Sequence, residues 1–477
     1  MFIGSLEISR IDEWVPGAGS VVSWHASPAS LAKAEQAPVS PVPPSYMQAQ
    51  HIRGFCEFAA RGLDYSRLII GSWDEPGHCD VRAMSYVINS HLRRHDTYRS
   101  WFQYEDADRI IRRTISEPRD IEFVPTRHGE MTPEEWQANI LATPNPLQWD
   151  CFSFGLIQRE DHFTFYVAMD HLHIDPMFMA VLFVEVHMMY ATVVEGGAPI
   201  ALPPASGYDD YCRRQHEYTS SLTLESPQVR AWIEFAERNG GTLPEFPLPL
   251  GETSARSGGD TMVVQLMDEE QTARFESACV SAGARFIGGV FACAALAQYQ
   301  LTGMETYYGM TPTDMRRSPA EFMTMGWFTA MIPVSVPVAA TSFGETARAA
   351  QASFDSNTEL ANVPFDRVLQ LAPWLRRSQE GYPMLSYLDV GVPPLSSVVA
   401  SQLDGRNVGT KFDGRTPAHF CMWVARVYDE TSLTVSFPDN RIAHESVTLY
   451  VEAMKSVYAA VADGRGDIPR LREVAQA

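Results

Sequence analysis

The chain has 477 residues, 45% of them hydrophobic and 20% charged, which is too long for one ordinary core, comfortable for two, and too apolar for extensive disorder. A formal net charge of −21 excludes the broad basic face that nucleic acid requires and disfavours a general grip on anionic membrane. Any anionic ligand would need a local basic patch. The seven cysteines are odd in number and scattered, with no C-x-x-C. They read as reduced thiols of a cytoplasmic protein, not as a disulfide framework or a zinc site. The first residues carry no signal-peptide pattern. The apolar stretches Met177–Val194 and Phe286–Leu296 are too short or too polar to span a bilayer and read as core helices.

Taken in order, residues 1–45 are a Pro/Ser/Ala-rich arm with short strands at Leu6–Ile8 and Ser20–Trp24. A helix is predicted over Tyr46–Gly62, a strand over Leu63–Ser72 and an amphipathic helix over Cys79–His95. Tyr98–Tyr104 and Arg109–Ser116 form a candidate hairpin, and Thr132–Ala142 is a helix stopped by Pro144 and Pro146. Strands follow at Cys151–Gln158 and Phe163–Met169. A long apolar helix then opens at Pro176, with Asp175 as its N-cap and the proline at its first position. Helices are expected at Tyr211–Thr219 and Pro227–Arg238. A Pro/Gly-rich break precedes a second run of the same alternation: strand Thr261–Met267, a helix capped by Asp268, buried helix Arg285–Leu301, and strand Thr306–Pro312. Further strands are expected at Met331–Val338, Met384–Asp389, Phe420–Tyr428 and Leu433–Phe437, before a last helix over His444–Ala462. Such alternation signals α/β sandwiches. The division expected is an N-terminal lobe over 1–225, a crossing over 226–260 and a C-terminal lobe over 261–477, with a cleft between two similar lobes.

Chemistry-bearing groups concentrate where strand Phe163–Met169 stops: Asp170, His171, His173 and Asp175. From the residues alone His171 is a strand-end histidine satisfied by packing, a metal ligand with His173 and Asp175, or a base. Extended backbone would set the His171 and His173 rings on one face, but no further ligand stands at a zinc-like spacing.

Four landmarks in order resemble the condensation-domain and chloramphenicol-acetyltransferase-like superfamily. They are Arg94-His95 through Phe102, His171-x-x-x-Asp175, Asp314-Met315-Arg316-Arg317 ahead of Gly326-Trp327-Phe328, and the C-terminal strand and helix around Phe437–Asn440. The wording VSWH, PPSYMQAQHIRGF, LDYSRL, YVINSHLRRHDTYRSWF and FPLPLG further resembles the mycobacterial polyketide-associated (Pap-type) trehalose acyltransferases. Departures are Asp170 where many relatives carry a second histidine, Pro176 where many have glycine, and Lys411–Arg415 in the place of a D-F-G-W-G segment. The resemblance implies an α/β fold of two chloramphenicol-acetyltransferase-like sandwich lobes arranged as a V-shaped pseudo-dimer. It implies O-acyl transfer from long-chain acyl-coenzyme A to a hydroxyl of trehalose or a trehalose ester, in cell-envelope glycolipid synthesis.

On that basis His171 is the general base, with no acyl-enzyme required; consistently, no G-x-S-x-G elbow is present. Asp175 is an orienting residue paired with an arginine, Arg316 first and Arg317 next. Arg213, Arg214, Arg376 and Arg377 are candidates to hold the donor's phosphates, or are solvated charge. Trp327, Trp374 and Tyr387 are candidates to stack on the acceptor sugar, or are core. His95 and Arg99 anchor a helix end and a loop, and His173 is packing. Met177, Met179, Met188 and Met189 are core, or line an acyl tunnel. No metal and no resident cofactor are expected, with acyl-coenzyme A as co-substrate. The chain is expected as a cytoplasmic monomer, with the inner face of the plasma membrane, a polyketide synthase or lipid-export machinery as candidate associations. The alternatives are a donor acyl chain on a carrier protein or polyketide synthase, or a non-catalytic relative that binds lipid or a partner.

Overall fold

The computed structural model describes residues 2–3, 6–197, 200–251, 259–339, 342–378, 382–389, 405–414, 420–427 and 430–465. The chain forms two compact units, each with its own sheet.

The first unit takes Met1–Tyr218, Met315–Thr329 and Pro394–Arg415. Its eight-stranded sheet runs in space Phe2–Ile3, Leu6–Arg10, Val408–Phe412, Leu68–Pro76, His162–Asp170, Phe152–Gln158, Gly19–Ala26 and Phe123–Met131. The pairings are antiparallel except that of Val408–Phe412 with Leu6–Arg10. Strand His162–Asp170 is central and buries both faces. Phe163, Phe165, Val167 and Met169 join the larger core with helix Val81–Arg94 and Phe178–Val194, while Tyr166 and Ala168 meet Trp14 and Trp136 on the other side. Period-two alternation therefore reads as an unbroken apolar run, as expected of a strand buried on both faces.

The second unit takes Thr219–Asp314, Ala330–Pro393 and Thr416–Ala477. Its mixed sheet runs Gly259–Met267, Glu430–Pro438, Cys421–Val427, Met384–Asp389, Thr306–Asp314 and Thr329–Pro337. Helix Phe286–Thr302 is buried on nearly every side and ends at Gly303, whose φ of +76° is the left-handed stop a glycine supplies. Helix Arg441–Ala462 packs against it, with the Tyr450 hydroxyl donating to the Ala294 carbonyl.

The helix starts follow their capping residues. Ser45 with Gln48, Thr132 with Glu135, and Asp268 with Gln271 each form a reciprocal capping box. The expected domain bounds differ from the observed ones in kind. The first change of unit falls at Tyr218/Thr219, near the expected 225, but Met315–Thr329 and Pro394–Arg415 return to the first unit from the C-terminal half. No single described helix is long and apolar enough to cross a membrane.

Candidate active site

Strand His162–Asp170 delivers Asp170 and His171 to its end, and the chain then turns through a single 3-10 turn, His171–His173. Two corrections follow. Because the backbone is helical there, the two histidine rings do not share a face. His173 is buried, with Nδ1 3.0 Å from Thr97 Oγ1 and Nε2 3.3 Å from Cys151 Sγ, so it is packing as expected and offers no shared ligand set with His171. Nor is Asp175 the N-cap of the apolar helix. That helix begins at Phe178 with Met177 as its cap, and Pro176 lies outside it. Asp175 Oδ1 instead accepts from the Met177 amide at 3.0 Å, closing a local turn ahead of the helix.

The Asp175 carboxylate has a second and larger task. Oδ2 accepts from Arg316 Nη1 at 2.7 Å and from the Phe328 amide at 2.9 Å, and Oδ1 accepts from Arg316 Nη2 at 3.1 Å. Both side chains are 2% exposed. Arg316 also donates to the Glu321 and Thr324 carbonyls and lies over the Phe328 ring at 4.3 Å. The expected Asp175–Arg316 pair is therefore present, bidentate and buried. It ties the turn after His171 to the segment 315–328.

That segment is fixed from two further directions. The Met325 amide donates to His95 Nδ1 at 3.3 Å, and the Tyr208 hydroxyl lies 3.0 Å from the Trp327 carbonyl. Gly326 between them has φ +155°, and a Cβ there would stand 2.2 Å from the Tyr208 ring. We expect Gly326→Ala to displace the loop, lowering thermal stability by roughly 1–3 kcal/mol and turnover with it. Calorimetry and an activity assay on one preparation check this.

What the loop delivers is Trp327, whose ring centroid lies 3.9 Å from that of His171 at an interplanar angle of 34°. Of the three aromatic candidates for sugar stacking, Trp327 is the one in the first unit, and there it covers the His171 imidazole. Tyr387, in the second unit, stacks on Phe286 and donates to Asp389; Trp374, also in that unit, is 56% exposed. His171 is half-buried as a residue, and its Nδ1 is buried with no partner in hydrogen-bonding geometry among the described residues. Burial first, and His51 second, hold its pKa down to about 4. With its pKa so lowered, the imidazole is neutral at pH 7.

Behind His171 lies a group the sequence reading did not single out. His51 Nε2 sits 2.8 Å from Asp170 Oδ1, and Arg67 Nη1 sits 3.4 Å from Asp170 Oδ2. Asp170 Oδ1 also accepts from the Leu172 amide at 3.1 Å. Burial opposes ionisation of this carboxyl, yet His51 and Arg67 outweigh it and hold its pKa below the usual carboxylate range. One available signal lay in PPSYMQAQHIRGF. Gln48 and His51 are three apart and so share a helix face, and Gln48 donates to the Leu172 carbonyl.

The Arg94-His95 landmark also has a structural task. Helix Phe178–Val194 contains one π turn, Phe183–His187, which includes the fully buried Glu185. Its Oε2 lies 2.8 Å from His91 Nδ1 and 2.9 Å from His95 Nε2, and its Oε1 accepts from Arg94 Nε at 2.8 Å. Burial disfavours the charged form, but His95 and His91 hold the carboxyl well below its ordinary pKa. His91, His95 and Glu185 have the donor types and closeness of a metal site. Yet their facing atoms already satisfy one another, and a guanidinium shares the carboxylate, so the group reads as a closed hydrogen-bond network.

The arginine candidates are engaged locally. In the first unit Arg213 pairs with Asp210 and Arg214 with Glu321. In the second Arg377 pairs with Asp366, and Arg376 donates to the Gly240 carbonyl. Among the methionines, Met179 fills the space beside Gly71, Met189 is buried and Met188 is 36% exposed, which is the distribution of a core helix.

The Condensation domain family matches residues 74–387. Acyltransferase PapA3 of Mycobacterium tuberculosis is 55% identical over 461 residues, covering 97% of this chain and 98% of that protein. The 2'-acyl-2-O-sulfo-trehalose (hydroxy)phthioceranyltransferase PapA1 of the same species is 57% identical over 464 residues, covering 97% and 90%. Trehalose-2-sulfate acyltransferase PapA2 of Mycobacterium bovis is 55% identical over 460 residues, covering 96% and 97%. A solved structure of a PapA2 acyl transferase superposes with a TM-score of 0.92 at 54% identity, covering 96% of this chain and 100% of that one. The condensation domain of the MokA polyketide synthase shares the fold, with a TM-score of 0.66 at 17% identity.

Proposed function

Because the chain belongs to the condensation-domain family and is an acyltransferase, we propose that it moves a long-chain acyl group from acyl-coenzyme A to a hydroxyl of trehalose or a trehalose ester, with His171 as general base. The observation that carries this reading is the division of labour between two side chains. Asp175 has every oxygen committed to Arg316, Phe328 and Met177, whereas His171 is half-buried and its Nδ1 has no hydrogen-bond partner among the described residues. An aspartate so committed orients; a histidine so placed exchanges protons.

In the proposed step His171 takes the proton of the acceptor hydroxyl as that oxygen attacks the thioester carbonyl. The tetrahedral intermediate expels the thiolate, and His171 returns the proton to sulfur. The products are an ester and a free thiol, with no resident cofactor in the balance. The names of the relatives support the acceptor class, since two of them act on sulfated trehalose. Glycolipid biosynthesis follows from that class. A donor acyl chain held on a carrier protein or polyketide synthase keeps the same chemistry.

The test is incubation with palmitoyl-coenzyme A and either trehalose or trehalose-2-sulfate, following free thiol and new glycolipid. Release of thiol with formation of a sugar ester is expected. Transfer from an acyl carrier protein alone would replace the donor, and no transfer from either donor would overturn the reading. We expect acceptor choice to be narrow, because a missing sugar hydroxyl leaves buried polar groups unpaired. Donor choice should be broad, because each methylene is worth only about 0.8 kcal/mol. Glucose should be largely refused while acyl chains a few carbons apart compete. Equal use of glucose and trehalose would contradict this.

A further inference from the structure

We propose that Trp327 is a positioning residue for the transfer: its indole, laid on the His171 imidazole, fixes the rotation of that ring and so aims its reactive nitrogen at the acceptor hydroxyl. The inference rests on His171 being the base. The torsion that spins an imidazole about its Cβ–Cγ bond is broad, so side-chain staggering alone does not aim the ring. A hydrogen bond at the nitrogen that does not react ordinarily does so. At His171 the buried Nδ1 has no such partner among the described residues. Burial and then His51 oppose protonation of the ring; the main chain at His171 and Ile174 favours it, without giving Nδ1 a partner in hydrogen-bonding geometry. With Nδ1 buried, proton exchange is left to Nε2, whose direction depends on the same rotation.

The polar groups that could have aimed the ring are committed elsewhere. Asp170 faces His51 and Arg67. Asp175 faces Arg316, Phe328 and Met177. His173 faces Thr97 and Cys151. The His51 ring stands off, its centroid 6.3 Å from that of His171. The Trp327 centroid is at 3.9 Å, with the planes 34° apart. The indole is itself held from several directions. Its carbonyl lies 3.0 Å from the Tyr208 hydroxyl, and the next amide, Phe328, donates to Asp175. His51 meets its ring edge-on at 5.6 Å, and the residue is 8% exposed. A flat plate anchored in this way passes its orientation to a softer neighbour. The Asp175–Arg316 pair then bears on turnover through the indole as well as through the turn after His171.

The test compares Trp327→Phe, which keeps a flat face, with Trp327→Leu, which keeps apolar bulk without one. Two quantities are read. The first is kcat and KM with palmitoyl-coenzyme A and whichever of trehalose and trehalose-2-sulfate is accepted. The second is the His171 ring signals in NMR of histidine-labelled protein, assigned with His171→Ala. We expect Trp327→Phe to stay within about threefold of wild type and Trp327→Leu to lose about tenfold or more in kcat, with KM for both substrates little changed. The His171 signals should be single and narrow in wild type and Trp327→Phe, and broadened or doubled in Trp327→Leu. Unchanged kcat in Trp327→Leu, or a raised sugar KM with kcat unchanged, overturns the proposal; the second result makes Trp327 a sugar-stacking residue. Narrow single signals in Trp327→Leu overturn it whatever turnover does. If Trp327→Leu melts early, Trp327→Met takes the same measurements. If instead His171→Ala remains active, the base assignment fails, while the NMR signals still decide whether the indole holds the ring.

Discussion

Replacing His171 with alanine is expected to lower turnover by roughly a hundred- to ten-thousand-fold while leaving the melting temperature within a few degrees of wild type. The size follows from losing a base at an alcohol that is a poor nucleophile at neutral pH. The small effect on folding follows from the surroundings. The residue is half-buried and its Nδ1 has no hydrogen-bond partner among the described residues, so truncation breaks no hydrogen bond of that atom and removes a ring contact with Trp327. The pH dependence has a definite sign. With the imidazole pKa drawn down to about 4, the base form grows as pH rises through that value and is saturated above it. In wild type kcat/KM should therefore climb on the acid side and run flat through neutrality, until another group titrates. Retention of more than about a tenth of wild-type turnover in the alanine variant would remove His171 from the base role.

Asp175→Ala is expected to be the more damaging change to the protein itself, lowering stability by about 3–5 kcal/mol and abolishing turnover. The loss exceeds that of a helix cap because four donors lose their acceptor: two guanidinium N–H groups and the amides of Met177 and Phe328. A buried arginine loses its bidentate carboxylate. Arg316→Ala should cost a similar amount, and the two losses should overlap, giving a coupling of about 1–3 kcal/mol in a double-mutant cycle. Denaturant titration of the four proteins supplies the cycle. Additive losses would mean that the pair is not the element that holds Trp327 over His171. Full stability with no activity in Asp175→Ala would make this carboxylate part of the proton path.

Local patterns were legible in the sequence wherever one segment decides its own structure. Helix Pro227–Arg238 and strand Met384–Asp389 lie at their predicted bounds, and the hairpin Ser100–Asp106 with Arg109–Thr114 pairs as expected. Strand Phe123–Met131 was missed because it is polar, nearly all exposed and contains Pro125, so it has neither alternation nor an apolar run. Helix Phe343–Asn357 was missed although Ser342 caps it, since its glycine and scattered apolar residues make a faint stripe. The Asp175–Arg316 pair was anticipated only through the family resemblance; 141 residues separate its members, and no local pattern joins them. The His51–Asp170 contact, across 119 residues, was not anticipated, although His51 lies in the PPSYMQAQHIRGF segment and shares a helix face with Gln48. The misplaced helix start at Pro176 has a simple cause: an Asp-Pro pair also suits a tight turn, and here the turn prevails.

The interleaving of the chain has a consequence for how the protein is made. Strand Val408–Phe412 lies between Leu6–Arg10 and Leu68–Pro76, and Asp413 accepts from the amides of Arg67 and Leu68 at 3.1 and 3.0 Å. A nascent chain that has emerged only as far as residue 225 holds two strands whose facing edges have nothing between them, and an Asp175 whose guanidinium is not yet synthesised. The first unit cannot close until well over four hundred residues have left the ribosome, so its early half waits with bare strand edges, the state most open to aggregation. A gene fragment ending near residue 225 is therefore no shortcut to a working half. Dissection of this enzyme has to proceed by substitution within the whole chain.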